Sequence, residues 1–246
     1  MANKITRHIP NTITCCNLIS GCIAIITAIY GDLWLALLFI VIGSVFDFFD
    51  GMSARLLHIS SPIGKELDSL ADVITFGLAP SVMLFQQLSV LDYPFGSVYR
   101  WQITGYIPFV AFLMTAFSAL RLAKFNLDER QTTSFIGLPT PANALFWGSL
   151  LLGLDSQMQA VNWAPFALIA LMLLNCWLLV SELPMFALKF KHWGWKGNEV
   201  KYIFVLSCIP LLLIFKVLAF AIIIAWYVVL SAYVNATKKQ EQWILY

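Results

Sequence analysis

Apolar residues run along this chain in long blocks, not in the short alternations of a soluble sheet or the one-sided stripes of a soluble helix. The blocks fall at 12–30, 33–57, 64–88, 103–122, 139–155, 164–182, 201–215 and 217–236. Crossing a hydrocarbon core of about 30 Å takes about 20 such residues in a helix, and within lipid every backbone polar group must be satisfied by the segment itself. The pattern predicts an all-α fold, a polytopic membrane helix bundle with about eight transmembrane helices. The fifth and seventh blocks are short and Pro210 interrupts the seventh. The range is therefore six to eight spans, the lower figures applying if one pair is re-entrant or interfacial. No repeat, low-complexity tract or soluble segment divides the chain, which reads as a single membrane-embedded domain over 1–246.

Composition agrees with that solvent. The 246 residues are 60% hydrophobic and 11% charged, where a soluble domain carries roughly a quarter charged residues. The net charge of +2 gives no case for a nucleic-acid partner. Placement is more telling. With both termini in the cytoplasm, Lys4, Arg7, Arg55, Lys65, Arg121, Lys124, Arg130, Lys189, Lys191, Lys196, Lys201, Lys238 and Lys239 all fall inside, and only Arg100 and Lys216 fall outside. That division follows the positive-inside rule and favours an even number of spans in a multi-pass protein of the cell membrane. Trp101, Trp163, Trp193 and Trp195 stand near expected helix ends, where amphipathic rings meet the interface. Lys4 and Arg7 imitate the start of a signal peptide, but no small-residue cleavage site follows, so the first block is expected to stay as a helix. The five cysteines lie in apolar runs and read as packing residues.

Against this background the acids between positions 47 and 72 stand out. Asp47, Asp50, Asp68 and Asp72 lie in or beside apolar sequence, with Glu66 nearby. An aspartate at mid-membrane depth costs roughly 2.5–3.5 kcal/mol on insertion scales, so four of them call for water, a cation or a shared cavity. Asp47 and Asp50 are three apart and share a helix face that continues through Gly51, Ala54 and Arg55; Gly64, Asp68 and Asp72 are four apart and stack on the next helix. The short connection through His58, Ser60, Ser61 and Pro62 is expected to make the two helices antiparallel neighbours whose acids converge. Carboxylates so placed repel unless cations sit between them, and oxygen-only ligands select magnesium or manganese, with calcium also compatible. Two ions bridged by shared carboxylates form a clamp suited to displacement at phosphorus. The small residues leave room for a ligand, and Arg55 offers a fork for phosphate oxygens. Acids facing a water-filled vestibule or an ion path are the plainer alternative.

The run D-x-x-D-G-x-x-A-R, eight residues, then G-x-x-x-D-x-x-x-D from Asp47 to Asp72 resembles the signature of the CDP-alcohol phosphotransferase family at every defined position. The resemblance implies a multi-helix membrane enzyme, a homodimer, with a dimetal site at the cytoplasmic face. It implies that Asp47, Asp50, Asp68 and Asp72 bind two ions, Asp47 and Asp68 bridging, and that Asp72 is also the general base. Gly51, Arg55 and Ser61 would contact the cytidine diphosphate moiety, with Ala54 and Gly64 leaving space beside it. Pro10-Asn11 and Thr14 resemble the family's N-terminal nucleotide-contacting stretch. Within the family, Asp68–Pro80, Arg121–Asn126 and Gly137–Ala142 are similar to phosphatidylserine synthases. The implied reaction carries a phosphatidyl group from CDP-diacylglycerol, held among bilayer lipids, to L-serine. Arg121 and Asn126 are then candidate contacts for serine, and Lys124 is equally well explained by topology. Asn175 and Glu182 read as bundle hydrogen-bonding groups without chemistry, and His58 as a solvated loop residue. The rivals are transfer to another alcohol, such as glycerol phosphate or inositol phosphate, and a divalent-cation transporter. Arg55 would repel a passing cation, which argues against the transporter.

Overall fold

The computed structural model of the chain describes residues 8–59, 61–94, 105–128, 136–185, 194–195 and 198–244, with side chains as far as 237. Lys4, Arg7, Ser60, Arg100, Trp101, Arg130, Lys189, Lys191, Trp193 and Lys196 lie outside the described residues, as do the side chains of Lys238 and Lys239.

Among the described residues the regular structure is helical, apart from an isolated antiparallel bridge between Ile136 and Pro184. The helices are α1 (Ile9–Ile29), α2 (Leu33–Leu56), α3 (Pro62–Val90), α4 (Ile107–Leu127), α5 (Thr140–Gly153), the short α6 (Asp155–Gln159), α7 (Ala164–Val180), α8 (Glu199–Phe215) and α9 (Ala219–Ile244). Five stretches are long and apolar enough to cross a membrane: α1 to α4 and the run Glu199–Thr237. That last run is two helices. Lys216 takes a positive φ of 49° between them, and the chain folds back so that Trp226 Nε1 donates to Ser207 Oγ at 3.2 Å and Phe204 meets Tyr227 with ring centroids 5.7 Å apart. Each apolar block of the sequence thus corresponds to a helix.

Local chemistry sets the ends. Asp32 caps α2 by accepting from Leu35 N at 2.9 Å, and Ser61 caps α3 through Gly64 N at 3.3 Å, with Pro62 as the first helical residue. His58 closes α2 in the left-handed region, φ 52°, while Ile59 N returns to Ala54 O at 2.9 Å. With 14 residues, α5 is about 21 Å long. It compensates by being wrapped in protein: Asn143, Phe146, Trp147, Ser149 and Leu151 are all buried, and α2, α3 and α9 pack around it. Gly137, at φ 73°, leads into α5 against the end of α7; a Cβ there would lie 2.9 Å from the carbonyl oxygens of both Leu179 and Ser181.

One expectation needs correcting. α2 and the first half of α3 pack chiefly on α1, not on each other, so α1 forms the common wall. A side chain accounts for this. Thr75 seats against Gly21 of α1 and Gly43 of α2, where a Cβ on Gly21 would come within 2.8 Å of the Thr75 Cα, and its hydroxyl donates to Asn17 O at 3.0 Å. Around Thr75, α3 widens into a π turn over Val73–Leu78, a feature the apolar pattern does not announce. The direction of each helix places Asn11, Arg55, Lys65, Arg121, Lys124 and Lys201 at one end of the bundle and Lys216 at the other, near Gly153. Asn235 of α9 donates to Pro184 O, which brings the last helix back to the end where α1 begins.

Candidate metal centre and adjoining clefts

The acids meet at that same end. One carboxylate oxygen from each of Asp47, Asp50 and Asp68 lies within 4.8 Å of the others. Helix periodicity alone explains the pairing within α2, and α1 supplies what brings the two helices into register. Thr14 Oγ1 donates to Asp50 Oδ2 at 2.7 Å, and Asn17 Nδ2 donates to Asp72 Oδ1 at 3.3 Å. Asp50 and Asp72 are buried, 6% and 7% exposed. Asp72 is not one of the three clustered acids. It stands one turn further along α3, where Asn17 of α1 holds its carboxylate.

These residues suit a hard cation. The donors are all oxygens, which favour magnesium, manganese or calcium over softer metals. Asp68 Oδ1 is buried with no hydrogen-bond partner, an arrangement that costs about 1–3 kcal/mol or more for a polar group left bare and that a bound cation would relieve.

Beside the acids is a cleft of about 270 Å³. Asn11, Thr14, Gly51, Ala54, Ser61 and Gly64, all expected near a ligand, line it together with Asp50 and Asp68; Pro10, Ile59 and Lys65 complete the wall. Arg55 is exposed at this end, its Nε donating to Gly51 O at 2.9 Å, so in this state the guanidinium folds back on its own helix.

Arg121 and Asn126 part company. Arg121, 7% exposed, lines a second cavity of about 370 Å³ at the ends of α4 and α7, along with Lys124, Asp128 and Glu182. Its Nη1 donates to Thr140 Oγ1 at 3.2 Å, and the guanidinium lies 5.2 Å from the Phe125 ring centroid. Asn126 lines neither cavity. Its Nδ2 donates to Ser69 Oγ at 2.8 Å and its carbonyl accepts from Lys65 Nζ at 2.9 Å, so it ties α4 to α3.

Asn17, which holds Asp72, is not among the residues that the sequence singles out. Asn17 continues the spacing Asn11, Thr14, Asn17, a polar stripe at intervals of three along an otherwise apolar helix, and that stripe was the available signal. The apolar block 164–182 predicts Glu182 within a helix, whereas α7 ends at Val180 and Glu182 follows it on the wall of the second cavity.

Comparison with known proteins bears on the family. The profile of the CDP-alcohol phosphatidyltransferase family matches residues 7–190. The chain is similar to the CDP-diacylglycerol–serine O-phosphatidyltransferase of Bacillus subtilis, 40% identical over 135 residues, covering 55% of this chain and 70% of that protein. It is 36% identical over 138 residues to the Helicobacter pylori protein of the same name, covering 55% of this chain and 54% of the relative. It is 31% identical over 163 residues to the archaetidylserine synthase of Methanothermobacter thermautotrophicus, covering 64% of each. The chain spans about half to two thirds of the length of most of these relatives. With the profile covering most of its length and the signature residues gathered about one cleft, the chain belongs to the CDP-alcohol phosphatidyltransferase family.

Proposed function

We propose that this chain transfers the phosphatidyl group of CDP-diacylglycerol to L-serine, forming phosphatidylserine and CMP. The observation that carries the reading is a single cleft in which Asn11, Thr14, Gly51, Ala54, Ser61 and Gly64 adjoin Asp50 and Asp68. The names of its relatives support the choice of serine as acceptor.

In this reading Asp47, Asp50 and Asp68, with Asp72 beside them, hold two divalent ions, magnesium or manganese. Bound there, the ions would offset charge on the diphosphate. The cleft takes the cytidine diphosphate end, its small residues admitting the phosphates and Ser61 and Arg55 offering donors to them. Arg55 must swing away from the Gly51 carbonyl to do so. Asn17 occupies Oδ1 of Asp72, which leaves Oδ2 to take the proton of the serine hydroxyl. The serine oxygen then forms the new bond to the lipid-side phosphorus as the bond to the CMP oxygen breaks. Thr14 and Asn17 fix the acids before substrate arrives, so little reorganisation is needed during reaction.

The same reading puts the acid-bearing end in the cytoplasm, following the basic residues gathered there, with eight spans in one domain and two copies of the chain forming a homodimer. The acyl chains stay among the bilayer lipids.

The test is CMP release from CDP-diacylglycerol by the purified full-length protein. Release should require serine and a divalent ion and should stop with chelator. Release that prefers glycerol 3-phosphate or an inositol phosphate would replace serine by another acceptor. Cation flux into liposomes without nucleotide would overturn the transferase reading.

A further inference from the structure

Thr75 departs from the habit of other threonines in these helices. Thr12, Thr27 and Thr237 turn their hydroxyls back to a carbonyl four residues earlier on the same helix, the usual place for a threonine hydroxyl in helical backbone. Thr75 Oγ1 instead donates across to Asn17 O of α1 at 3.0 Å, 58 positions away in sequence. Its surroundings impose this. Thr75 is fully buried, and its methyl lies over Gly43, where a Cβ would come 2.5 Å from Thr75 Cγ2. With the methyl seated there, the hydroxyl is left for α1.

Asn17 is thereby held at two points by one helix. Its main-chain oxygen accepts from Thr75, and its side-chain Nδ2 donates to Asp72 Oδ1. Asp72 and Thr75 are three apart and share a face of α3. The side-chain bond is long, 3.3 Å, where such bonds ordinarily run at about 2.7–3.2 Å. A drift of α1 by a few tenths of an ångström would break it. The other end of the amide gives no hold, since Asn17 Oδ1 is buried with no hydrogen-bond partner among the described residues. The separation of α1 and α3 at this point decides whether the amide reaches Asp72, and the Thr75–Asn17 bond sets that separation.

Resting on the transfer reading, in which Asp72 takes the acceptor proton, we propose that Thr75 is a positioning residue for the reaction. Its hydroxyl keeps α1 at the distance from which Asn17 orients Asp72, while its methyl supplies the seat over Gly43. Thr75 lines neither cleft and acts through Asn17. Activity follows the hydroxyl and stability follows the methyl.

The experiment measures CMP release and thermal midpoint for full-length wild type, Thr75→Val and Thr75→Ser in detergent micelles. Thr75→Val keeps the shape, removes the hydroxyl and leaves Asn17 O within the backbone ladder of α1. Its kcat should fall by about fivefold to tenfold, the scale of one neutral hydrogen bond. The KM values for CDP-diacylglycerol and serine should move by less than about twofold. Thr75→Ser should recover most of kcat, yet melt below Thr75→Val because it opens a methyl-sized gap over Gly43. In an Asn17→Ala background, Thr75→Val should lower kcat by less than about twofold further, since residues that act through one another are not additive. An unchanged kcat in Thr75→Val would overturn the proposal while leaving the transfer reading intact. So would a kcat that follows the thermal midpoint across the two variants, or losses that multiply with Asn17→Ala. A wild type that releases no CMP with serine would bring down the transfer reading itself.

Discussion

At the scale of single residues, the acids depend on neighbours that carry no charge. Asp72 is held by Asn17, and Asp50 by Thr14. If Asp72 takes the acceptor proton, Asp72→Asn should lower kcat by about 10²–10⁴-fold while nucleotide binding, measured by displacement of a labelled cytidine nucleotide, largely survives. Full turnover in that variant would remove Asp72 from the role of base. Asn17→Ala tests orientation. Losing a hydrogen bond to a charged group is worth about 1.5–3 kcal/mol, so kcat should fall by roughly tenfold or more with little change in the KM for CDP-diacylglycerol. An effect confined to KM would place Asn17 in binding instead. The acids and the small residues around them were legible in the sequence because helical spacing puts them on one face and because carboxylates in apolar sequence need a reason to be there. Asn17 was not, since an amide in an apolar helix reads as packing until its partner, 55 positions away, is known. Asn126 differs from its expected place for the opposite reason. It sits beside a substrate candidate in sequence, yet its side chain serves a helix–helix bond.

At the scale of elements, the apolar blocks gave helix positions well, because block length and lipid leave helix as the only answer. Their pairing was less accessible. A short turn between two helices predicts that they lie side by side, and here a third helix takes most of the contact on α2 and on the first half of α3. What decides this is side-chain volume at a few positions, Gly21 and Gly43 admitting Thr75, and no periodicity carries that information. The π turn at Val73–Leu78 has the same origin. It begins directly after Asp72 and surrounds the residue that bonds to Asn17 O, so the irregular turn and the acid share one support. The loop before α5 gives a direct test. Gly137→Ala must hold φ 73° and place a methyl 2.9 Å from two carbonyl oxygens. We expect a loss of about 1–3 kcal/mol, as for overpacked sites, read as a lower midpoint in thermal unfolding in detergent. An unchanged midpoint would show that the segment from Gly137 is not seated on the end of α7.

At the scale of the whole molecule, the two ends of the bundle differ in charge and in chemistry. Arg55, Lys65, Arg121, Lys124 and Lys201 share the end that holds the acids and both cavities, and Lys216 marks the far end beside Gly153. In a cysteine-free background, Leu127→Cys and Lys216→Cys should therefore react with a membrane-impermeant thiol reagent from opposite sides. Intact cells should label only Lys216→Cys, and inverted vesicles only Leu127→Cys. Labelling of both from one side would break the proposed topology. Basic residues indicated this arrangement in the sequence because each lies at a helix end. The folding back of α8 on α9 is equally visible in the chain as two adjoining apolar blocks, though only the Ser207–Trp226 contact fixes it.

The dominance of α1 as a common wall has a consequence for how the molecule is made. Among the described residues, every side chain that gathers the carboxylates or lines the first cleft comes from α1, α2, the first part of α3 or the turn between α2 and α3. The second cavity requires α4, α7 and the strand-like segment at Ile136, which emerge from the ribosome later. Synthesis from the N-terminus thus completes the acid-bearing cleft before the second cavity has a wall, and on the proposed reading the place for CDP-diacylglycerol is made first.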